Sequence, residues 1–178
     1  MAEYAVLAKN NKDLLNEIFS ILTDRVKADP YSDDGSYAAA IRQLPTGLRA
    51  MAATHHLDVS LTLDDLGWHF LNFGEPGLVQ EAGDGLRELG LPDVAQWFEE
   101  AQQIVQPLLD SARKGEIKSP GDEYYDGLER SGNRPRMDQL SQLAQDKSTG
   151  CSEDASGSFI YDSWIKYCRM KPENVFDN

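Results

Sequence analysis

The stretch from Thr62 to Leu109 constrains the fold most, because its apolar residues recur at the three- and four-residue spacing of an amphipathic helix. The pattern predicts a helix that begins at Pro92, where the missing N–H costs nothing and Asp93 adds favourable charge. Pro107 should kink this helix, and Gly115 is its expected end. Its apolar stripe covers roughly a third of the circumference and consists of Val94, Trp97, Phe98, Ala101, Ile104, Val105 and Leu108.

A second helix is predicted immediately before it, from about Pro76 to Leu89. Gly90 follows, and glycine tolerates the left-handed conformation that often closes a helix. Gly83 and Gly85 lie inside this helix, where each costs about 1 kcal/mol relative to alanine, so close packing or a local break is expected there. The two helices together predict a central helical hairpin.

The remaining sequence predicts an all-α protein with a single domain. No alternating strand pattern or internal repeat is present, and 178 residues suit one domain. Within residues 1–178 we distinguish an N-terminal helix in residues 1–29, a core in residues 44–113, a loop-rich segment in residues 116–158 and a C-terminal helix in residues 159–171.

Two of these assignments carry finer expectations. The core should contain a helix from Leu61 to Phe73, with Thr62 as its N-cap and Asp64 and Asp65 in its first turn. The loop-rich segment is dense in glycine, serine, proline and charge. It should hold at most short helices, near Tyr124–Leu128 and Met137–Gln145.

Charge is the outlier in the composition, with 30 acidic against 17 basic residues and a formal net charge of −13. Like-charge repulsion disfavours direct binding to nucleic acid or to an anionic membrane, and the same charge favours a basic protein partner. No apolar run is long enough to span a membrane, and no secretory signal pattern begins the chain. Cys151 and Cys168 lack metal-site or redox spacing. We therefore expect a soluble cytoplasmic protein with two free thiols.

The predicted hairpin carries a local excess of acids. Glu81, Asp84 and Glu88 share a face of its first helix, apart from the apolar stripe. Asp93, Glu99 and Glu100 are their neighbours in the second helix. Such a row is commonly only a solvated helix face, but exposed carboxylates can also bind a basic surface. These six acids are the predicted partner-binding residues.

Candidates for catalysis or metal binding are few. His55 and His56 are adjacent, so on a helix they point about 100° apart and cannot share a metal as histidines four residues apart do. His69 follows Asp65 by four residues, which would allow a carboxylate-oriented imidazole, although a histidine in an aromatic segment is typical of the edge of a core. The sequence therefore predicts no catalytic residues, no metal and no cofactor.

Several short runs, taken in order, resemble the helical domain of the acidic DNA-mimic protein family. The resemblance covers mainly Leu44–Leu109 and the last helix. Members of the family usually carry an Asn-Gly-Gly-Phe run, which this chain replaces with Leu63-Asp-Asp-Leu66. The matching runs are Leu44-Pro-Thr-Gly-Leu-Arg-Ala-Met51, Phe70-Leu-Asn72, Gly85-Leu-Arg-Glu-Leu-Gly90, Val94-Ala95, Glu100-Ala101 and Tyr161–Met170 before Pro172.

The resemblance implies a dimeric, all-helical protein whose surface carboxylates imitate DNA phosphates and occupy the DNA-binding face of a partner protein. Acids at positions i, i+3 and i+7 of a helix lie about 5 to 10 Å apart, which is the same order as phosphate spacing. An inhibitor or immunity-type protein that covers a basic toxin or nuclease site fits the acidity equally well. A small metal-dependent enzyme is a third alternative.

Overall fold

The structure is a computed structural model that describes residues 5–117, 120–148 and 157–176. Every regular element in these ranges is helical, which confirms the all-α prediction. Short 3₁₀ turns flank the α-helices at Ala5–Ala8 and Pro172–Asn174. The α-helices are α1 (Asn11–Arg25), α2 (Ser36–Ile41), α3 (Thr46–Leu63), α4 (Leu66–Phe73), α5 (Pro76–Glu88), α6 (Pro92–Arg113), α7 (Pro120–Arg130), α8 (Arg134–Ser148) and α9 (Phe159–Met170).

The packing is centred on α3, which contacts α1, α2, α4, α5, α8 and α9. This position follows from its sequence, because buried side chains occupy most of its circumference, among them Leu48, Met51 and Leu57. The helices of the predicted hairpin, α5 and α6, do contact each other, but α5 makes its largest contact with α3. The other helices are therefore arranged around α3 rather than around the hairpin.

The ends of α5 and α6 follow local chemistry. The Glu75 carboxylate accepts hydrogen bonds from the N–H of Gly77 at 2.9 Å and of Leu78 at 2.7 Å, which caps the start of α5. Gly90 and Gly115 follow the two helices with φ values of 78° and 71°. Both predicted glycine stops therefore adopt the left-handed conformation.

The helix predicted from Leu61 begins later than expected. α3 continues to Leu63, so Thr62 belongs to its last turn and is not an N-cap. Asp65 is the cap instead, and its Oδ1 accepts a hydrogen bond from the N–H of Trp68 at 2.7 Å. Threonine and aspartate are both good caps. Burial of Leu61 in the last turn of α3 selects the aspartate.

The described part of residues 116–158 is mainly helical, which corrects the prediction of long loops. α7 and α8 are both longer than the short helices expected there. Tertiary contacts stabilise α7, because the Tyr124 hydroxyl donates to the Gly67 carbonyl at 3.0 Å and Leu128 is fully buried. Residues 118–119 and 149–156 of the expected loop lie outside the described residues.

The C-terminal helix α9 agrees with its predicted range. Its Trp164 is fully buried, and the indole Nε1 donates to the Thr54 hydroxyl at 3.0 Å. Cys168 is a buried free thiol whose pKa burial raises to about 12, whereas Cys151 lies outside the described residues. None of the helices in the described ranges combines the length and apolar character that a membrane span needs.

Candidate functional site

Each of the predicted partner-binding acids has a cationic side chain within ion-pair distance. The six acids have as many cationic neighbours, so the face that they were expected to form carries little net charge. The pairs are Glu81 with Arg42 and Arg49, Asp84 and Glu99 with Arg87, Glu88 with Lys171, Asp93 with Lys147, and Glu100 with Arg136.

Glu81 is buried, which corrects the expectation that it lies on an exposed face. Its residue is only 3% exposed, and its carboxylate accepts hydrogen bonds from Arg42 Nε at 2.6 Å and from Arg49 Nη2 at 2.8 Å. Burial by itself would raise the pKa of this carboxyl, but the hydrogen bonds from the two arginines hold it below its usual range. Glu81 therefore joins α5 to α3 and to the end of α2.

The other acids differ in how firmly they are held. The Asp84 side chain is 61% exposed and lies 3.7 Å from Arg87, so its ion pair is weak. Glu88 accepts a hydrogen bond from the Tyr167 hydroxyl at 2.5 Å. Glu100 accepts two from Arg136, at 2.6 and 2.7 Å, which lower the pKa of its carboxyl. A partner would have to compete with these internal contacts.

Three of the acids meet in a groove of about 220 Å³ between α3 and α5. Glu81, Asp84 and Glu88 come from α5, and the Arg49 guanidinium lies among them on the α3 side. The groove thus presents hydrogen-bond donors as well as acceptors, and one guanidinium offsets part of the charge of its three carboxylates.

Unpaired negative charge occurs in a regular row on α7. Asp122, Asp126 and Glu129 are exposed, and none of them has an ion pair with a cation of the described residues. At 100° per residue they project from the side opposite the buried Tyr124 and Leu128. The axial rise is about 6 Å from the first acid to the second and about 4.5 Å to the third.

The spacing of these three acids is visible in the sequence, but the composition around them predicts a loop and not a helix. The spacing of four and three residues between Asp122, Asp126 and Glu129 is visible in the printed sequence. This spacing places the three acids on one face only if the segment is helical, and the glycine- and proline-rich surroundings predict a loop. The helix depends on buried contacts of Tyr124 and Leu128, which the local pattern does not show.

A smaller group of acids lies between α1 and α2. Asp29 accepts a hydrogen bond from the N–H of Tyr31 at 3.0 Å, and Asp34 accepts one from the N–H of Ser36 at 2.8 Å. The hydrogen bonds from the Ser36 side chain and backbone lower the pKa of the Asp34 carboxyl. Asp33 lines a pocket of about 280 Å³ that Arg113 also lines, so this acid shares the pocket with a cation.

The three histidines of the chain lie close together, with His69 buried and His55 and His56 partly buried. The rings of His55 and His56 are 5.0 Å apart, and the Phe73 ring lies 4.6 Å from His56 and 5.4 Å from His69. Burial lowers the pKa of all three imidazoles, to about 4 for His56 and about 3 for His69. Within the described residues, no group of three or more His, Cys, Asp or Glu is placed to hold a metal ion.

His69 forms a hydrogen-bonded pair with a serine rather than with an aspartate. Ser60 Oγ lies 2.9 Å from His69 Nδ1, whereas Asp65 caps α4. Ser60 is 0% and His69 is 2% exposed, so a substrate has no access to the pair. The arrangement is structural: His69 belongs to the core, and the alternative in which Asp65 orients its ring does not occur.

Comparison with known proteins adds no relative, because no protein-family model, no curated protein and no solved structure matches this chain. The resemblance to the acidic DNA-mimic family is neither supported nor opposed by this result. Any assignment of function therefore rests on the residues and their geometry.

Proposed function

We propose that this chain is a non-enzymatic, acidic protein-binding module that contacts a basic partner protein through the outer face of α7. The observation that carries the proposal is the row of three exposed carboxylates, Asp122, Asp126 and Glu129, without ion pairs among the described residues. Unpaired surface charges attract an oppositely charged partner at long range and increase the rate of association.

The other acids explain why α7 is the preferred contact. A partner that approached Glu100 would have to displace Arg136, which makes two short hydrogen bonds to it. Binding to α7 requires no such exchange, because its three acids give up only water. The secondary candidates are Asp84, Glu88, Asp93 and Glu99, since a larger interface could rearrange the cations paired with them, each of which is at least partly exposed.

The spacing on α7 favours a partner that binds DNA. Carboxylates separated by about 4.5 to 6 Å along a helix match the order of charge spacing along a duplex. The family resemblance favours the same class, a cytoplasmic DNA-binding protein, and a nuclease that presents a basic cleft fits the same surface. The burial of the Ser60–His69 pair supports a role without catalysis.

The test compares two double charge reversals. Asp126→Lys with Glu129→Lys removes most of the row on α7, and Asp122 is left intact because it stabilises the start of the helix. The matched control is Asp24→Lys with Glu173→Lys, which changes two exposed acids without ion pairs among the described residues. Both variants alter the net charge equally, so an effect of total charge cancels.

The measurement is affinity capture from a lysate of the native cells, with mass-spectrometric identification of the bound protein. We expect the parent and the control to capture the same basic protein, and the α7 variant to lose it. Capture should weaken steeply with salt, and duplex DNA should displace the chain if the partner is a DNA-binding protein. Equal capture by the α7 variant and the control would contradict the proposed contact.

A further inference from the structure

A small apolar cleft lies between α1 and α3. Its volume is about 200 Å³, and its walls include Phe19, Leu22 and Val26 of α1 and the Tyr37 ring of α2. His55 and His56 of α3 also line it. No carboxylate, ammonium or guanidinium group is among its lining residues, so the cleft is uncharged where the imidazoles are neutral.

His56 differs from the other two histidines in its hydrogen bonding. His55 Nδ1 lies 2.9 Å from the Tyr161 hydroxyl, and His69 Nδ1 lies 2.9 Å from Ser60 Oγ. The ring of His56 makes no hydrogen bond with any of the described residues, although it stacks on Phe73 with centroids 4.6 Å apart. Its ring therefore has one donor and one acceptor to spare.

The ring nitrogens of His56 are not fully enclosed by the described residues. In the described part of the chain, no fully buried side-chain nitrogen or oxygen lacks a hydrogen-bond partner. The His56 nitrogens must therefore be partly accessible, and the cleft is the space that this side chain lines. A phenylalanine could stack on Phe73 in the same way, whereas the imidazole also offers a hydrogen-bond donor and acceptor.

We infer that this cleft binds a small neutral molecule that has an apolar ring or chain and one hydroxyl group, with the hydroxyl hydrogen-bonded to His56. The apolar walls accommodate the hydrocarbon part, and cavities of about 150 Å³ in other proteins hold a benzene molecule. A neutral ligand fits because the lining offers no counter-ion, and the net charge of −13 opposes an anion. A hydroxyl group can both donate to and accept from an imidazole.

This inference is independent of the proposed function. The cleft is formed by α1, α2 and α3, whereas the proposed partner contact lies on α7. A chain that binds no basic partner could still bind the small molecule, and the reverse also holds.

The test is a titration with three probes that share one ring: p-cresol, toluene and benzoate. Binding is followed by the NMR signals of Ala28 and Ala52, which line the cleft. We expect p-cresol to bind at least about fivefold more tightly than toluene, which is the value of one net hydrogen bond. Benzoate should not bind.

Two variants locate the interaction. His56→Phe keeps the ring stacking and should fold normally, and it should bind p-cresol and toluene with equal affinity. Thr23→Trp places a large side chain at the exposed rim of the cleft and should weaken both probes. The inference is overturned if no probe shifts the Ala28 and Ala52 signals, if p-cresol and toluene bind the parent equally, or if His56→Phe retains the preference for p-cresol.

Discussion

At the scale of single residues, Glu81 shows how a carboxylate changes role with burial. The sequence places it in a row with Asp84 and Glu88, but in the structure its side chain points between α5 and α3. Two arginines, each partly exposed, meet its carboxylate. Because the carboxylate is the buried member, it is the part of the network whose loss matters most for stability.

Replacing Glu81 with glutamine should destabilise the protein while the neighbouring Asp84→Asn should not. Glu81→Gln weakens hydrogen bonds between charged groups, so the free energy of unfolding should fall by about 1.5 to 3 kcal/mol. Asp84 is largely exposed, and its change should stay within about 0.5 kcal/mol. Urea denaturation of both variants measures this. If the Glu81→Gln variant were as stable as Asp84→Asn, the buried ion pair would contribute nothing to the free energy of unfolding.

The adjacent side chains of Trp97 and Phe98 in α6 differ in burial. The apolar stripe predicts that both side chains are buried, but only Phe98 is. Trp97 is half-buried, and the Lys147 ammonium lies 5.5 Å from the centroid of its ring. Phe98→Ala should therefore cost about 3 to 5 kcal/mol, and Trp97→Ala should cost clearly less. Denaturation midpoints of the two variants test the order, and a larger loss for Trp97→Ala would contradict it.

At the scale of elements, the two glycines inside α5 have different reasons to be glycine. A Cβ on Gly85 would lie 3.0 Å from the Ala50 carbonyl oxygen and 3.2 Å from its Cα, so the glycine lets α5 approach α3. A Cβ on Gly83 would meet only side-chain atoms of Arg87 and Glu99, at 3.7 Å. The predicted close packing is present at Gly85 and absent at Gly83.

Alanine substitutions at these two positions should therefore have opposite effects. Gly83→Ala should stabilise the protein by up to about 1 kcal/mol, since alanine is the better helix former. Gly85→Ala gains the same propensity but forces α5 away from backbone atoms of α3, so a net loss on the order of 1 kcal/mol is expected. Thermal unfolding of both variants is the measurement. Stabilisation by both would show that the α3–α5 contact is adaptable.

At the scale of the whole molecule, the buried histidines should make stability depend on pH. Their folded pKa values lie below the ordinary value of 6.5, at about 4 for His56 and about 3 for His69. The folded state therefore binds fewer protons than the unfolded state between these values and 6.5. The contribution of the neutral histidines to the free energy of unfolding is complete above about pH 6.5. As the pH falls, this contribution decreases by about 1.4 kcal/mol per pH unit for each proton.

Denaturation between pH 7 and pH 4 tests this, with His56→Phe as the control variant. The control should lose stability less steeply, because one of the three imidazoles no longer titrates. Burial raises the pKa of Asp58, so this carboxyl binds its proton more readily in the folded state and offsets part of the loss at the acidic end. A stability that stays constant from pH 7 to pH 5 would contradict the neutral histidine cluster.

The candidate site was only partly predictable from the sequence. Local patterns predicted the acidity of the chain, the helix that carries Glu81, Asp84 and Glu88, and the glycine that ends this helix. Whether each acid is paired with a cation could not be predicted in this way, because the partner is usually distant in the chain, as Arg136 is from Glu100. The unpaired row on α7 was missed for the related reason that contacts with α4 and α6 stabilise that helix.

Local sequence patterns are enough to predict the all-α class, the positions of α1, α5, α6 and α9 and the strong net negative charge, because periodicity, helix caps and composition are local properties. Long-range packing sets which helix is central, where α3 ends, that α7 and α8 form, and which carboxylates remain unpaired. The physical reason is that burial and ion pairing depend on residues brought together from distant parts of the chain. The free energies of those contacts exceed the small local preferences for helix or loop.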